Sequence, residues 1–260
     1  MEAHDAGIRA RLRLQRDGFA LEVDLALPGH GISALFGPSG SGKTTCLRAI
    51  AGLERVPGAY VAVGGEVWQD DAAGIFVPVH RRALGYVFQE ASLFAHLDVR
   101  ANLAFGRQRV PPGERRFELE AVAALLGIDH LLERRPDRLS GGERQRCGLA
   151  RLLLSSAEAF LVDEPISALD PALARHTLAT LQQEASARKA SFVCSLHQVE
   201  MARAHFPRLV GLRAGRIVFD AATGAVSDAM IAALYENEAV EAPSQPPHES
   251  PERIAVGACF

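Results

Sequence analysis

The segment GPSGSGKT, from Gly37 to Thr44, decides the fold of this 260-residue chain. It fits the pattern G-x-x-x-x-G-K-[ST] and lies between the apolar run GISALFG and the helix-like run KTTCLRAIAGL. Glycines at these positions let backbone N–H groups converge on an anion, and the start of a helix adds positive charge at the same place. This order of strand, loop and helix predicts a phosphate-binding loop (P-loop) in an α/β domain with a parallel sheet.

The residue types of this loop predict contacts with a nucleotide. Lys43 is expected to reach the β- and γ-phosphates, and the hydroxyl of Thr44 is expected to bind Mg²⁺. The other predicted nucleotide-binding residues are Gly37, Pro38, Ser39, Gly40, Ser41, Gly42 and Thr45. The loop alone leaves kinases, GTPases, helicases and transporter ATPases open.

A second segment, AFLVDEP, narrows this choice. An apolar run leads to Asp163, a carboxylate suited to holding Mg²⁺, and Glu164 follows directly. A carboxylate at this second position is suited to polarising a water molecule against the γ-phosphate. We therefore expect Asp163 to serve the metal and Glu164 to be the catalytic base of a nucleotide hydrolase.

Composition excludes several classes of protein. Hydrophobic residues make up 48% of the chain, but no apolar run reaches the ~20 residues that a membrane-spanning helix needs. The N-terminal region lacks the apolar core of a signal peptide, so a cytoplasmic protein is expected. The four cysteines form no CxxC pair. A formal net charge of −3 argues against a nucleic-acid partner.

The order of patterns predicts a P-loop NTPase core with two additions. IRARLRLQ and FALEVDLAL alternate apolar and polar residues, which predicts an antiparallel hairpin in an N-terminal β subdomain, and AYVAVGGEVWQ predicts a further strand pair. Residues from about 90 to 152, with FELEAVAALLGI and IDHLLERR, predict an inserted helical subdomain. We expect one ATP-binding domain over residues 1–238 and a disordered, Pro- and Ser-rich tail over residues 239–260.

Six motifs occur in the order that is typical of ATP-binding-cassette (ABC) ATPases, and the chain resembles that family over nearly all of its length to residue 236. The motifs are GPSGSGKT, YVFQE, LSGGERQ, LVDEP, SALD and SLHQ. The resemblance implies ATP and Mg²⁺ as cofactors. It also implies that Gln89, in YVFQE, touches Mg²⁺ and the attacking water, and that His197, in SLHQ, contacts the γ-phosphate as a further catalytic residue.

The resemblance further implies a site divided between two subunits. Ser140, Gly141 and Gly142 open a helix, and in the family such N–H groups cap the γ-phosphate that is bound by the partner subunit. Asp170, in SALD, is expected to act across the same interface. The implied partner is a second ATP-binding subunit, most simply another copy of this chain, arranged head to tail with two ATP molecules.

With one cassette, no heptad stretch and no apparent membrane segment, the chain resembles separate ATPase subunits of bacterial importers. This implies a peripheral position at the inner face of the cell membrane, with transmembrane permease subunits contacting the Gln89 loop and the helical subdomain. A periplasmic binding protein is the indirect partner. Residues 19–135 resemble molybdate-importer ATPases, and residues 160–236 resemble phosphonate-importer ATPases. Molybdate is the favoured cargo, and a phosphonate-type importer, a recombined chain and a non-transport ABC ATPase are the alternatives.

The adenine-binding position differs from the family pattern. Family members usually stack adenine on an aromatic residue upstream of the P-loop, where this chain offers Phe19, with Leu14 as the alternative occupant. A chain without such stacking leads to a third hypothesis, a nucleotide-binding module with weak ATP affinity and impaired hydrolysis.

Overall fold

The computed structural model describes residues 7–236, except positions 17, 90, 91, 109, 116, 156, 158, 167 and 168. The strands are β1 (Ile8–Arg16), β2 (Phe19–Leu27), β3 (Gly31–Phe36), β4 (Tyr60–Val63), β5 (Glu66–Asp70), β6 (Ile75–Phe76), β7 (Leu84–Val87), β8 (Ala159–Val162), β9 (Ser191–Leu196), β10 (Arg208–Arg213) and β11 (Arg216–Ala222). The helices are α1 (Lys43–Ala51), α2 (Val99–Gln108), α3 (Leu119–Leu125), α4 (Gly141–Leu153), α5 (Pro171–Arg188), α6 (Val199–His205) and α7 (Asp228–Tyr235). The strands form one 11-stranded sheet in the order β6-β5-β4-β1-β2-β11-β10-β3-β9-β8-β7.

The N-terminal strands form the predicted antiparallel part of this sheet. β1 pairs with β2 from Ile8↔Leu27 to Arg16↔Phe19, and β4 pairs with β1 and β5. Buried and exposed residues alternate along most of β1 and β2, as expected where one face packs on the core and the other meets solvent. This part joins the rest of the sheet where β2 lies beside β11.

The other part of the sheet is mainly parallel and positions the candidate site. β3 lies between β9 and β10, and β8 lies between β9 and β7, all four pairs being parallel. Every residue of β8 and β9 is buried, because helices cover both faces of such a sheet. The carboxyl ends of β3, β7, β8 and β9 lie at one edge, where ligands bind in open α/β sheets. This architecture confirms the predicted fold class.

The helical block contains less helix than the sequence predicts. IDHLLERR forms one 3₁₀ turn, Asp129–Leu131, so the prediction of a helix there is wrong. The N–H groups of Val99 and Arg100 donate to the carbonyls of Arg134 and Leu132. These bonds attach the segment to the start of α2. They also occupy carbonyl groups that would accept backbone hydrogen bonds if IDHLLERR formed a helix.

The remaining expectations concern the C-terminal tail, membrane-spanning helices and the cysteines. The predicted tail, residues 239–260, lies outside the described residues. Within the described residues, no helix combines the length and apolarity required to cross a membrane. Cys46, Cys147 and Cys194 are buried free thiols, and burial raises the pKa of Cys46 and of Cys147 to about 12.

Candidate nucleotide site

The glycine-rich loop has a backbone that its sequence pattern requires. It connects the end of β3 at Phe36 with the start of α1 at Lys43. Gly42, which caps α1, has φ 104°, and Gly37 has φ 152°. A Cβ atom on Gly37 would overlap the carbonyl oxygen of Leu212. Both positions therefore need glycine, one for its backbone angle and the other also for close packing.

The ammonium group of Lys43 lies against this loop. Its Nζ donates to the carbonyl oxygens of Gly37 at 2.8 Å and Pro38 at 2.7 Å, and the residue is only 5% exposed. Both acceptors are uncharged, so these two bonds orient the ammonium group without cancelling its charge. The N-terminus of α1 adds partial positive charge at the same place, which makes the loop suited to a phosphate group.

A pocket of about 310 Å³ opens over the loop. Ser39, Gly40, Gly42 and Lys43 form its floor together with Thr44 and Thr45, and the side chains of Phe19, Gln89 and Glu164 complete its lining. This volume falls in the range of about 300–1,000 Å³ for small-molecule sites. The structure thus brings six of the nine predicted P-loop residues to one cavity; Gly37, Pro38 and Ser41 are not in its described lining.

Phe19 and Leu14, the two candidates for the adenine position, have different surroundings. Phe19 lines the pocket, and its ring lies so close to Gly42 that a Cβ atom there would come within 3.1 Å of it. Both residues pack against the same apolar cluster, but Leu14 is not among the described residues that line the pocket. The aromatic residue is therefore the one available to a base.

Asp163 lies under the pocket and is held by two hydroxyl groups. Its Oδ1 accepts hydrogen bonds from Thr44 Oγ1 at 3.1 Å and from Ser195 Oγ at 2.6 Å, and Asp163 is 2% exposed. Hydroxyl and carboxylate oxygens are ligands that Mg²⁺ accepts, so this pair fits a magnesium site. The described residues contain no group of three or more His, Cys, Asp or Glu side chains that could hold a metal ion. A Mg²⁺ ion held by Thr44 and Asp163 would complete its coordination with oxygen atoms from water or from a bound nucleotide.

The Glu164 carboxylate connects the other two predicted catalytic side chains. Gln89 Nε2 donates to Glu164 Oε2 at 3.2 Å, and His197 Nδ1 lies 3.6 Å from Glu164 Oε1. Glu164 has φ 49°, an uncommon angle for a residue other than glycine. Its side chain is 20% exposed, so this carboxylate can meet a water molecule at the pocket.

Two buried residues without a predicted role contact the backbone of Glu164. The N–H group of Glu164 donates to Ser195 Oγ at 2.8 Å, and its carbonyl accepts from Gln145 Nε2 at 3.3 Å. Gln145 ends the LSGGERQ motif, and Ser195 lies two positions before His197. Their position inside these motifs was the only sequence feature that could have identified them as site residues.

The start of α4 lies outside this pocket, whose described lining includes none of Ser140, Gly141 and Gly142. Ser140 forms a capping box with Glu143: its Oγ accepts from the Glu143 N–H at 3.3 Å, and its own N–H donates to Glu143 Oε2 at 2.7 Å. That second bond lowers the pKa of Glu143. Ser140 and Gly141 are exposed, so this helix start is open to another molecule.

Asp170 is likewise outside the pocket lining. It is exposed and caps α5, where its Oδ1 accepts from the N–H groups of Ala172 at 3.1 Å and Leu173 at 3.0 Å. Asx side chains at this position satisfy helix N–H groups that have no partner within the helix. The structure therefore shows a capping role for Asp170 within the chain and leaves its expected role at an interface a prediction.

A second cavity, of about 380 Å³, lies between β7 and the helical block. Its lining includes His80, Arg82, Tyr86, Phe105 and Arg151. Burial lowers the pKa of both arginines, and Phe105 is 37% exposed. This groove is therefore aromatic and cationic, and β7 runs directly from it towards Gln89.

Comparison with known sequences gives consistent matches. The sequence model of the ABC transporter family matches residues 21–167. The molybdenum import ATP-binding protein ModC 1 of Azotobacter vinelandii is 65% identical over 164 residues, which are 63% of this chain and 45% of that protein. The molybdenum import ATP-binding protein ModC of Bordetella pertussis is 60% identical over 178 residues, 68% of this chain and 48% of that protein. The chain thus spans about half the length of these curated relatives.

Solved structures share the fold. A dimeric ATP-binding cassette in a post-hydrolysis state, bound to ADP and Pi, gives a TM-score of 0.68 at 24% identity and covers 83% of this chain and 98% of its own. An ATP-binding subunit of an ABC transporter gives a TM-score of 0.72 at 20% identity, with 87% and 98% covered. At these identities the likeness establishes the architecture alone.

Proposed function

The chain belongs to the ABC transporter family, and we propose that it is the ATP-hydrolysing subunit of a bacterial importer. The observation that carries this proposal is a pair of side-chain hydrogen bonds at one pocket. Thr44 donates to Asp163, and Gln89 donates to Glu164. These contacts join segments that lie 119 and 75 positions apart in the sequence. A glycine-rich turn that matched the P-loop pattern by chance would not be expected to lie beside Asp163, Gln89 and Glu164.

Nucleotide binding uses the loop and its neighbours. Lys43 and the N-terminus of α1 bind the phosphates, because both carry positive charge at the pocket floor. The Phe19 ring contacts the base. Thr44 and Asp163 hold Mg²⁺, which neutralises phosphate charge when it is bound.

Hydrolysis uses Glu164 as the general base. Glu164 accepts a proton from the attacking water molecule, and its contacts with Gln89 and His197 hold the carboxylate at the pocket. His197 contacts the γ-phosphate. A positioned base contributes about 10²- to 10⁴-fold to a rate, so Glu164 should dominate turnover.

The second half of the site comes from another copy. Ser140, Gly141 and Gly142 offer donors at an exposed helix start, where the Ser140 hydroxyl and the Glu143 carboxylate are engaged in the capping box. A head-to-tail dimer brings this surface to the nucleotide of the partner, together with Asp170. Two ATP molecules are then bound per dimer.

The groove beside β7 is the proposed docking site for a transmembrane permease at the inner face of the cell membrane. It lies between the helical block and the strand that leads to Gln89, so a segment seated in it would contact both. The exposed side chain of Phe105 adds apolar surface at this groove. A periplasmic binding protein takes part only through the permease.

Molybdate is the proposed cargo. Relatives named as molybdenum importers are 60–65% identical over the matched residues, which include the helical block. The resemblance of residues 160–236 to phosphonate importers stays a prediction, and a phosphonate-type cargo is the second candidate.

Reconstitution tests this proposal. The chain is combined in liposomes with the permease of a molybdate importer and its binding protein, and Mg²⁺-dependent phosphate release is measured. We expect molybdate-loaded binding protein to stimulate hydrolysis, with Glu164→Gln as the inactive control. Stimulation by a phosphonate system alone would reassign the cargo. Stimulation by DNA or ribosomes, but by neither importer, would contradict the transport function.

A further inference from the structure

Ser195 places a hydroxyl group in a fully buried, mostly apolar strand. It belongs to β9, whose residues are all buried, and it is itself 0% exposed. Its strand neighbours Cys194 and Leu196 are apolar and equally inaccessible. A buried hydroxyl without hydrogen bonds destabilises a fold, so the contacts of Ser195 indicate what it does.

The hydroxyl of Ser195 contacts two consecutive site residues. It donates to Asp163 Oδ1 at 2.6 Å and accepts from the N–H group of Glu164 at 2.8 Å. A serine hydroxyl has one proton to donate and lone pairs to accept, so both bonds form at once. The bond to Asp163 has the short length of a charge-assisted hydrogen bond.

We propose that Ser195 is a positioning residue that orients the metal-binding carboxylate of Asp163 and the catalytic base Glu164 through one hydroxyl group; this assignment rests on the proposed function. Ser195 is not among the described residues that line the nucleotide pocket, so it acts through its two neighbours. Thr44 donates to the same oxygen of Asp163, but Thr44 is itself part of the pocket lining. Ser195 is therefore the donor whose position does not depend on the nucleotide.

The backbone of Glu164 explains why its N–H group is held. With φ 49°, Glu164 leaves the extended path of β8, and its side chain meets Gln89 and His197. Backbone angles of this kind persist where surrounding contacts enforce them. Ser195 holds the N–H side of this residue, and Gln145 holds the carbonyl side.

Three variants separate this role from a general contribution to stability. Ser195→Ala removes both bonds. Ser191→Ala is the matched control, because Ser191 is a 5% exposed hydroxyl on the same strand that donates instead to the Pro28 carbonyl, at 2.7 Å. Gln145→Met removes the bond to the Glu164 carbonyl and leaves the Asp163 carboxylate with both of its donors.

The readout besides activity is the gain in affinity for a fluorescent ATP analogue on going from EDTA to Mg²⁺. We expect Ser195→Ala to reduce this gain by about tenfold and kcat by about 10- to 100-fold, the range found for residues that support metal ligands. Ser191→Ala should change neither quantity by more than about twofold. Gln145→Met should lower kcat by about tenfold while keeping the Mg²⁺ gain.

The outcomes distinguish this assignment from the proposed function. If the wild-type chain binds and hydrolyses ATP with Mg²⁺ and Ser195→Ala matches Ser191→Ala in both quantities, the role of Ser195 is refuted and the proposed function stands. If the wild-type chain shows no Mg²⁺-dependent nucleotide binding, both are refuted. Should Ser195→Ala fail to fold, Ser195→Cys keeps the volume with weaker hydrogen bonding, and an unchanged Mg²⁺ gain in that variant contradicts the proposal.

Discussion

The two proposed phosphate-binding surfaces of this molecule differ in what each contains. Under the loop pocket, Lys43 provides a cation, and Thr44, Asp163 and Glu164 provide hydroxyl and carboxylate groups that side-chain hydrogen bonds hold in place. At the start of α4, Ser140 forms a capping box with its own helix and is exposed. One surface has a cation and the acids expected for hydrolysis, and the other has backbone N–H donors beside a hydroxyl and a carboxylate that cap their own helix.

In the proposed function, one chain binds a nucleotide through the loop pocket and requires a second copy to provide the donors of α4. The donors at Ser140, Gly141 and Gly142 are not part of the described lining of the pocket in the same chain. Within the chain, Gln145 of α4 bonds to the backbone of Glu164. Helix α4, whose start would cap the nucleotide of a partner, is therefore hydrogen-bonded to the proposed catalytic base in the pocket of its own chain.

The largest predicted effects separate the two surfaces by mutation. Lys43→Ala should weaken ATP binding by about 100-fold or more, because it removes a buried cation from the pocket floor. Ser140→Arg should leave ATP binding within about twofold and abolish turnover, since it obstructs the donor surface only. Titration calorimetry and phosphate-release assays measure the two quantities. Equal loss of binding in both variants would mean that the surfaces are one site.

A further large effect concerns the base alone. Glu164→Gln should slow hydrolysis by about 10²-fold or more while ATP affinity is kept, since an amide cannot accept the proton. The control is Glu133→Gln, an exposed acid of the helical block that pairs with Arg100. Turnover of Glu164→Gln within about threefold of wild type would rule out Glu164 as the base.

A moderate effect is expected for the base contact. Phe19→Ala should reduce ATP affinity by about tenfold, since stacking of a base on an aromatic ring contributes about 1–3 kcal/mol. Binding of inorganic triphosphate should not change, because the loop is untouched, and Phe19→Tyr should restore ATP affinity. If ATP and triphosphate are affected alike, Phe19 supports the loop and does not stack on the base.

The smallest effect tests the capping box at the donor surface. The pKa of Glu143 is lowered by the hydrogen bond from the Ser140 N–H, so its stabilising effect is present above the pKa of the unfolded chain and is lost as pH falls through the folded value. Glu143→Gln should lower Tm by about 1–2 °C at pH 7. The difference should diminish as pH falls below the ordinary glutamate pKa and should be lost once Glu143 is protonated in the folded chain. A difference that grows towards acid pH would contradict this origin.

Local patterns were sufficient where one short segment determines the geometry. The P-loop glycines specify backbone angles at Gly37 and Gly42, and alternation in β1 and β2 specifies the hairpin, so both were predictable. Parallel pairing of β8 and β9 then follows from two apolar runs that end in site residues. The helix expected in IDHLLERR failed because contacts with the start of α2 outweighed apolar periodicity.

Contacts between distant segments were beyond what the sequence could reveal. Ser195 contacts Asp163 across 32 positions, and although Ser195 is the first residue of SLHQ, nothing in that motif indicates this contact. The choice between Phe19 and Leu14 depended on which residue lies over Gly42, which only the packing of β2 against the loop decides. The tertiary structure therefore identifies candidate site residues that the sequence does not, such as Ser195, which contacts Asp163 and Glu164 and is not in the described pocket lining.

In the proposed head-to-tail dimer, a second copy completes the site. Light scattering coupled to size-exclusion chromatography on Glu164→Gln, with and without ATP, tests this arrangement, and Glu164→Gln combined with Ser140→Arg is the control. We predict a dimer of Glu164→Gln only with ATP, and a monomer of the double variant that still binds ATP. A Glu164→Gln dimer that forms without ATP, or one that persists in the double variant, would contradict a nucleotide held between the two surfaces.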